Sequence, residues 1–302
     1  MGKPRGRFGK WLKHRISYPM EAALVYSACL LFKALPVDTA SSLGGWTGRK
    51  VGPFLRGTKT ARRNLQRAFP EKSAADIEGI IQDMWDNLGR TIAEYPHLEA
   101  LCDIGPSGRT EVVGHQHLNT MRDDGIGGIV VGAHLGNWEV PSFASSKLGL
   151  EMGLVFRTPN NPYVAQLLMG MRRTVASVHI PKGADGARIL LRHLSKGGHV
   201  GILNDQKMND GIAVPFFGRD AMTAPAAAQL SKRLNVPVFP LRTERLGGAR
   251  FRITILAPLE HSNTGTKDDS ARDMLIRYNS LLESWIRERP GQWLWLHRRW
   301  PD

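Results

Sequence analysis

A histidine and a glutamate with four residues between them stand out in Gly128-Ile-Val-Val-Gly-Ala-His134-Leu-Gly-Asn-Trp-Glu139. The apolar run before the histidine reads as a buried strand, and Gly136 permits the turn that leaves it. Such a strand delivers His134 to the carboxyl end of a sheet, where open α/β folds place their ligands. There an imidazole can work as a general base. At this spacing His134 and Glu139 do not share one face of a continuous helix. A strand-to-helix turn could instead fold Glu139 back onto the imidazole, fixing its tautomer and stabilising the imidazolium. The competing account makes His134 a helix cap and Glu139 half of a surface ion pair.

Other chemistries fall away. The segment Gly125-Ile-Gly127-Gly128 lacks the third glycine of a dinucleotide fingerprint, and no triphosphate loop occurs. There is no Gly-x-Ser-x-Gly elbow. His115 and His117 would share one side of an extended segment, but no third ligand sits nearby, so no metal site is expected. Two cysteines, Cys29 and Cys102, make neither a disulfide framework nor a thiolate zinc site, and suit a reducing compartment.

The elements that must hold His134 fall in three stretches. Residues 1–37 form a basic arm and an apolar helix, 38–109 a helical region, and 110–302 an α/β domain. Predicted strands lie at Glu111–Gly114, Gly128–Ala133, Met152–Phe156, Ser177–Ile180, Val200–Leu203, Val236–Leu241 and Arg250–Leu256. Between them come helices at Trp138–Lys147, Pro162–Val175, Ala184–Ser195 and Pro225–Leu234, with a last one at Asp273–Arg289. This alternation implies an α/β fold: a mostly parallel sheet covered by helices on both faces. In the helical region, Ser73 and Asp76 resemble a capping box, and Pro70 ends the helix before it. Arg56, Lys59, Arg63 and Arg67 line one side of that earlier helix, opposite Ala61, Leu65 and Phe69. The basic side is either a solvated face or one laid on anionic lipid.

Charge narrows the partners. Lys+Arg 41 against Asp+Glu 27 leaves a net +14, which calls for an anionic partner. Six of those positives, Lys3, Arg5, Arg7, Lys10, Lys13 and Arg15, precede the apolar run Ala22–Phe32. Glu21 and Lys33 bracket only ~18 Å of helix, short of a ~30 Å hydrocarbon core unless Ala34–Val37 extends it. A retained membrane helix, a buried soluble helix and a cleaved signal all remain open. If the helix inserts, the positives keep the N-terminus on the cytoplasmic side.

The His-Leu-Gly-Asn-Trp-Glu segment resembles the signature of the bacterial lipid A biosynthesis acyltransferases, the late lauroyl and myristoyl transferases. These are part of a wider superfamily of glycerolipid acyltransferases. The resemblance covers most of the chain. It includes Val155-Phe-Arg157-Thr-Pro-Asn-Asn-Pro162, Asn204-Asp205-Gln206, Val214-Pro-Phe-Phe-Gly218 and Gln292-Trp-Leu-Trp-Leu-His-Arg-Arg299. It implies an N-terminal membrane-associated helix and a catalytic domain on the cytoplasmic face of the inner membrane. It further implies acyl transfer from acyl carrier protein, or coenzyme A, to a hydroxyl of a lipid A precursor or related anionic glycolipid. A thioester is already activated, so a base suffices and no cofactor beyond the acyl donor is needed. His134 would be that base and Glu139 its orienting partner.

Backbone amides at Gly136 and Asn137 would meet the oxyanion. Arg157, after a strand, would grip a head-group phosphate, unless it pairs with Asp205 instead. Asp205 and Gln206 follow the strand Val200–Leu203 and join the substrate-binding candidates, with a turn cap as the alternative for Asp205. Trp293, Trp295 and Trp300 either close the domain or anchor at an interface. Two rivals stand: an acyltransferase of the superfamily acting on another lipid, such as a lysophospholipid or mannosylated phosphoinositide, and a non-catalytic basic membrane-binding protein. No nucleic-acid motif supports a nucleic-acid partner.

Overall fold

The computed structural model describes residues 13–156, 159–172, 176–181, 183–260 and 267–301. Its strands are β1 (Thr110–Val113), β2 (Gly128–Gly132), β3 (Met152–Phe156), β4 (Ala176–Pro181), β5 (His199–Leu203), β6 (Ile212–Phe216), β7 (Arg219–Thr223), β8 (Val238–Gly247) and β9 (Arg250–Ile255). Seven make one sheet in the order β1-β9-β8-β2-β5-β3-β4, parallel everywhere except between β8 and β9. The expected α/β fold is present. From β2 the chain runs toward β3 and β4, returns to β5 at β2's side, and later adds β8 on the other side. The carboxyl end of β2 is therefore a switch point of the sheet, the place where such folds open a crevice.

The helices are α1 (Tyr18–Ala34), α2 (Val37–Val51), α3 (Gly57–Ala68), α4 (Ala74–Glu94), α5 (Leu98–Leu101), α6 (His115–Asp123), α7 (Val140–Lys147), α8 (Pro162–Arg172), α9 (Ala184–Leu194), α10 (Ala226–Leu234) and α11 (Lys267–Glu288). Successive residues of β2 point to opposite faces of the sheet. Ile129 and Val131 pack with Leu65 of α3, Ile81 and Trp85 of α4, and Leu282 of α11. Val130 packs on the other side with Leu118 and Met121 of α6 and Phe143 of α7. Both faces are thus covered. The Ser73–Asp76 capping box opens α4 with reciprocal bonds of 3.2 and 3.1 Å. His115 and His117 lie on α6, not on the extended segment considered for them.

Glycines bring α2 and α4 into backbone contact. A Cβ on Gly89 would lie 2.1 Å from the Gly44 carbonyl oxygen, and one on Gly48 only 2.0 Å from that of Trp85. Gly89→Ala should therefore push the helices apart and destabilise the fold by about 1–3 kcal/mol. Thermal unfolding measures this, and an unchanged Tm would contradict the close packing.

One feature departs from expectation. The β6–β7 hairpin has no counterpart among the predicted strands, because Pro215 disfavours a strand reading. Its two-residue turn, Phe217-Gly218, has positive φ at both positions (51° and 68°), as a tight hairpin demands. Phenylalanine is an unusual residue for that conformation. It is held there by burial against Phe69 and Trp295 and by its amide donating to Glu283 at 2.7 Å. At the N-terminus, no helix among the described residues is long and apolar enough to cross a membrane. Helix α1 spans 17 residues and lies against the body through Tyr18 and Ala22. Asn161 tethers it by donating to the Tyr18 carbonyl at 2.9 Å.

Candidate active site

Strands β2 and β5 run parallel with Gly132 opposite Leu203. Two residues beyond each of those positions stand His134 and Asp205, so the register alone makes them neighbours. The Asp205 carboxylate accepts from the His134 ring Nδ1 at 2.7 Å and from the His134 backbone amide at 2.9 Å. The indole N–H of Trp293 donates to the same carboxylate at 2.8 Å. Asp205 is 1% exposed. Burial alone would raise its pKa, but the His134 charge and these donors outweigh that and hold it at about 2. An ionised acceptor on Nδ1 fixes the proton there and leaves the lone pair on Nε2, the tautomer a base needs. The Gln206 amide nitrogen lies 3.3 Å from Nε2.

The orienting carboxylate on Nδ1 is thus Asp205, and the role expected for Glu139 there is corrected. Glu139 sits at the start of α7, 6% exposed, and lines the same cavity as His134. The Gly136 amide departs from its expected role, and the Asn137 side chain is held away from the cavity. The Gly136 amide donates to the Gln292 carbonyl at 3.1 Å, and the Asn137 side chain is fully buried, donating to Glu94 at 2.9 Å. Neither lines the cavity. Gln206 does line it. Arg157 lies outside the described residues. The tail tryptophans close the domain: Trp293, Trp295 and Trp300 are at most 3% exposed.

The cavity itself, about 970 Å³, has His134, Glu139, Ser142, Gln206, Lys207 and His297 among its polar lining. Much of the rest of its wall is aliphatic, with Leu118, Leu148, Leu154 and Leu190 from several elements. A hydrogen-bonded His–Asp pair beside a largely apolar chamber suits a reaction on a hydrocarbon chain.

A family model described as bacterial lipid A biosynthesis acyltransferase matches residues 10–302. The chain belongs to that family. Among its curated relatives is the lipid A biosynthesis lauroyltransferase of Escherichia coli, 25% identical over 88% of this chain and 86% of the relative. The palmitoleoyltransferase of the same organism is 26% identical, over 89% and 87%. A lipid A biosynthesis acyltransferase of Haemophilus influenzae is 28% identical, over 84% and 81%.

In this lipid A acyltransferase family member, the turn carrying the signature is braced from behind by buried polar groups that no local sequence pattern marks. Gly136 adopts φ +56°, and a Cβ there would lie 3.0 Å from the Thr243 carbonyl oxygen, so glycine is needed. Its own carbonyl accepts from Asn87 at 2.9 Å and Thr91 at 3.2 Å, both on α4. Glu94, fully buried, accepts from Asn137 at 2.9 Å, from Ser41 at 2.6 Å and from both terminal nitrogens of Arg245. Arg245 also donates to Asn87 at 2.8 Å, while its amide and carbonyl pair with the Gln292 side chain, each at 2.8 Å. Asn137 Oδ1 completes the chain by accepting from the Glu139 amide at 3.2 Å. Helices α2 and α4, strand β8 and the C-terminal tail thus meet on one loop.

Proposed function

We propose that the protein transfers a fatty acyl chain from a thioester, on acyl carrier protein or coenzyme A, to a hydroxyl of a lipid A precursor. The observation that carries this reading is the Asp205-held imidazole opening onto an apolar chamber. His134 Nε2 takes the hydroxyl proton as the oxygen attacks the thioester carbonyl. The tetrahedral intermediate then collapses, and the imidazolium returns the proton to the departing thiolate. Asp205 stabilises the imidazolium between these steps. Gln206 is placed to meet the acceptor oxygen, and Glu139 faces the cavity from the start of α7. The thioester is activated, so the chemistry calls for neither a metal nor a covalent nucleophile.

The protein would work on the cytoplasmic face of the inner membrane, with α1 lying in the interface. Met20, Leu24, Leu30 and Leu31 of α1 are each more than half exposed, as a helix set into a lipid boundary would have them. The net charge of +14 suits both an acidic carrier protein and a phosphorylated acceptor.

The test is a membrane assay with acyl carrier protein and coenzyme A thioesters over several lipid acceptors, lysophospholipid included. Turnover confined to lysophospholipid would move the reading to the superfamily rival. In the same assay Arg157→Ala should raise KM for a phosphorylated acceptor by about tenfold and affect an acceptor lacking that phosphate less. Equal losses on both, with a lowered Tm, would make Arg157 a scaffold residue.

A further inference from the structure

Helix α2 is built inside out. Its small residues Ala40, Ser41, Gly44 and Gly45 are buried, while Leu43, Trp46 and Val51 are 39%, 60% and 51% exposed. The stripe continues through the rigid turn that follows. Phe54 is 88% exposed and Leu55 48%, although the turn is pinned by Leu55 and Thr58 bonds to the Gly52 carbonyl at 2.9 and 3.0 Å. A large apolar side chain held outward by an ordered backbone is unlike a loose loop tip. Around it stand Lys50, Arg56 and Lys59, exposed and without an acidic partner among the described residues. Apolar groups ringed by unpaired cations match an anionic lipid surface in both chemistry and sign.

The position also fits the reaction. Gly57 packs against Leu296, where a Cβ would lie 3.0 Å from a Leu296 methyl. Asn64 of α3 donates to the His297 carbonyl at 2.6 Å, and the His297 ring centroid is 6.1 Å from that of His134. The exposed turn is thereby coupled by a few packed residues to His297 in the cavity lining.

We infer that Leu43, Trp46, Val51, Phe54 and Leu55 dock into the head-group boundary of an anionic bilayer, as a rigid contact separate from residues 1–37. It would set the cavity mouth at the membrane surface. This deepens the proposed function, because a lipid acceptor must be met there, but the binding is measured without turnover. The experiment uses the full chain and vesicles of phosphatidylethanolamine with phosphatidylglycerol. Phe54→Asp should lower the partition coefficient by about tenfold or more, the effect of withdrawing one inserted phenylalanine, with Tm unchanged. Neutralising Lys50, Arg56 and Lys59 to glutamine should weaken binding by roughly fivefold per charge at low salt, and little on phosphatidylcholine vesicles. Phe54→Asp should also slow turnover of a vesicle-embedded acceptor while sparing a detergent-dispersed one. Wild-type partitioning by Phe54→Asp and Trp46→Asp would overturn the inference, as would a shift from dimer to monomer with vesicle binding intact. Absence of turnover on every acceptor, with the partition loss still present, would instead sink the proposed function alone.

Discussion

His134→Ala is expected to leave a folded protein whose acyl transfer is lower by ~10²–10⁴, the usual worth of a positioned base. Loss of the ring leaves the buried Asp205 carboxylate without its imidazole partner, so Tm should fall while the protein stays folded. Near-normal turnover by folded His134→Ala protein would end the mechanism. Asp205→Asn should come close to the same loss, because an amide no longer fixes the Nδ1 proton or stabilises the imidazolium. Asp205 makes a second, independent signal in stability. Its folded pKa of about 2 lies below the ordinary 3.8. The contribution is therefore fully present above about pH 4 and lost as pH falls through about 2, a difference on the order of 2 kcal/mol. Asp205→Asn should flatten acid denaturation in that window. An unchanged acid profile would show that the carboxylate is not held ionised by His134 and Trp293.

The largest loss of stability is expected at the Glu94–Arg245 pair. Glu94 is fully buried and Arg245 only 7% exposed, and Arg245→Met strands a carboxylate in the interior. Breaking one partner of such a pair costs about 3–5 kcal/mol, visible as a large fall in Tm or in denaturant midpoint. The double variant with Glu94→Met should regain much of that stability, since the buried charge is gone. Its activity should stay low, with kcat reduced more than KM. The reason is that Asn137 loses the carboxylate that holds it, and Asn87 loses the guanidinium, so the turn from His134 to Glu139 is no longer braced. Recovery of kcat along with Tm would make the pair a stability element alone.

Local pattern accounts for much of the site's frame. The run Gly128-Ile-Val-Val-Gly132 is continuously apolar because both faces of its strand are covered, and this suffices to put His134 at a sheet's carboxyl end. Ser73 and Asp76 mark a helix start because capping needs only residues three apart. The His-Leu-Gly-Asn-Trp-Glu segment and its companion motifs, read in order, point to the family that the whole-chain match shows.

What tertiary structure alone decides is everything carried by strand order and by faces. Spacing made Glu139 the obvious partner for His134, yet a sheet neighbour two residues past the end of β5 reaches Nδ1 first. The matching offsets of His134 and Asp205 from their strand ends were legible, but only to a reader who already knew that β2 and β5 are adjacent. The same holds for Gly136 and Asn137, whose turn faces inward because α4, β8 and the tail supply the acceptors and donors there. Phe217 takes a positive φ that no propensity favours, because its ring is buried and its amide is bonded. Helix α2 turns its glycines inward since only they allow the α4 backbone so close, and its large apolar side chains are left outside as a consequence. Sequence by itself determined the strand, the place of His134 at its end, and the family. The partner of the His134 ring and the brace behind its loop were decided by long-range packing, since the groups involved lie tens to hundreds of residues apart and local spacing carries no record of them.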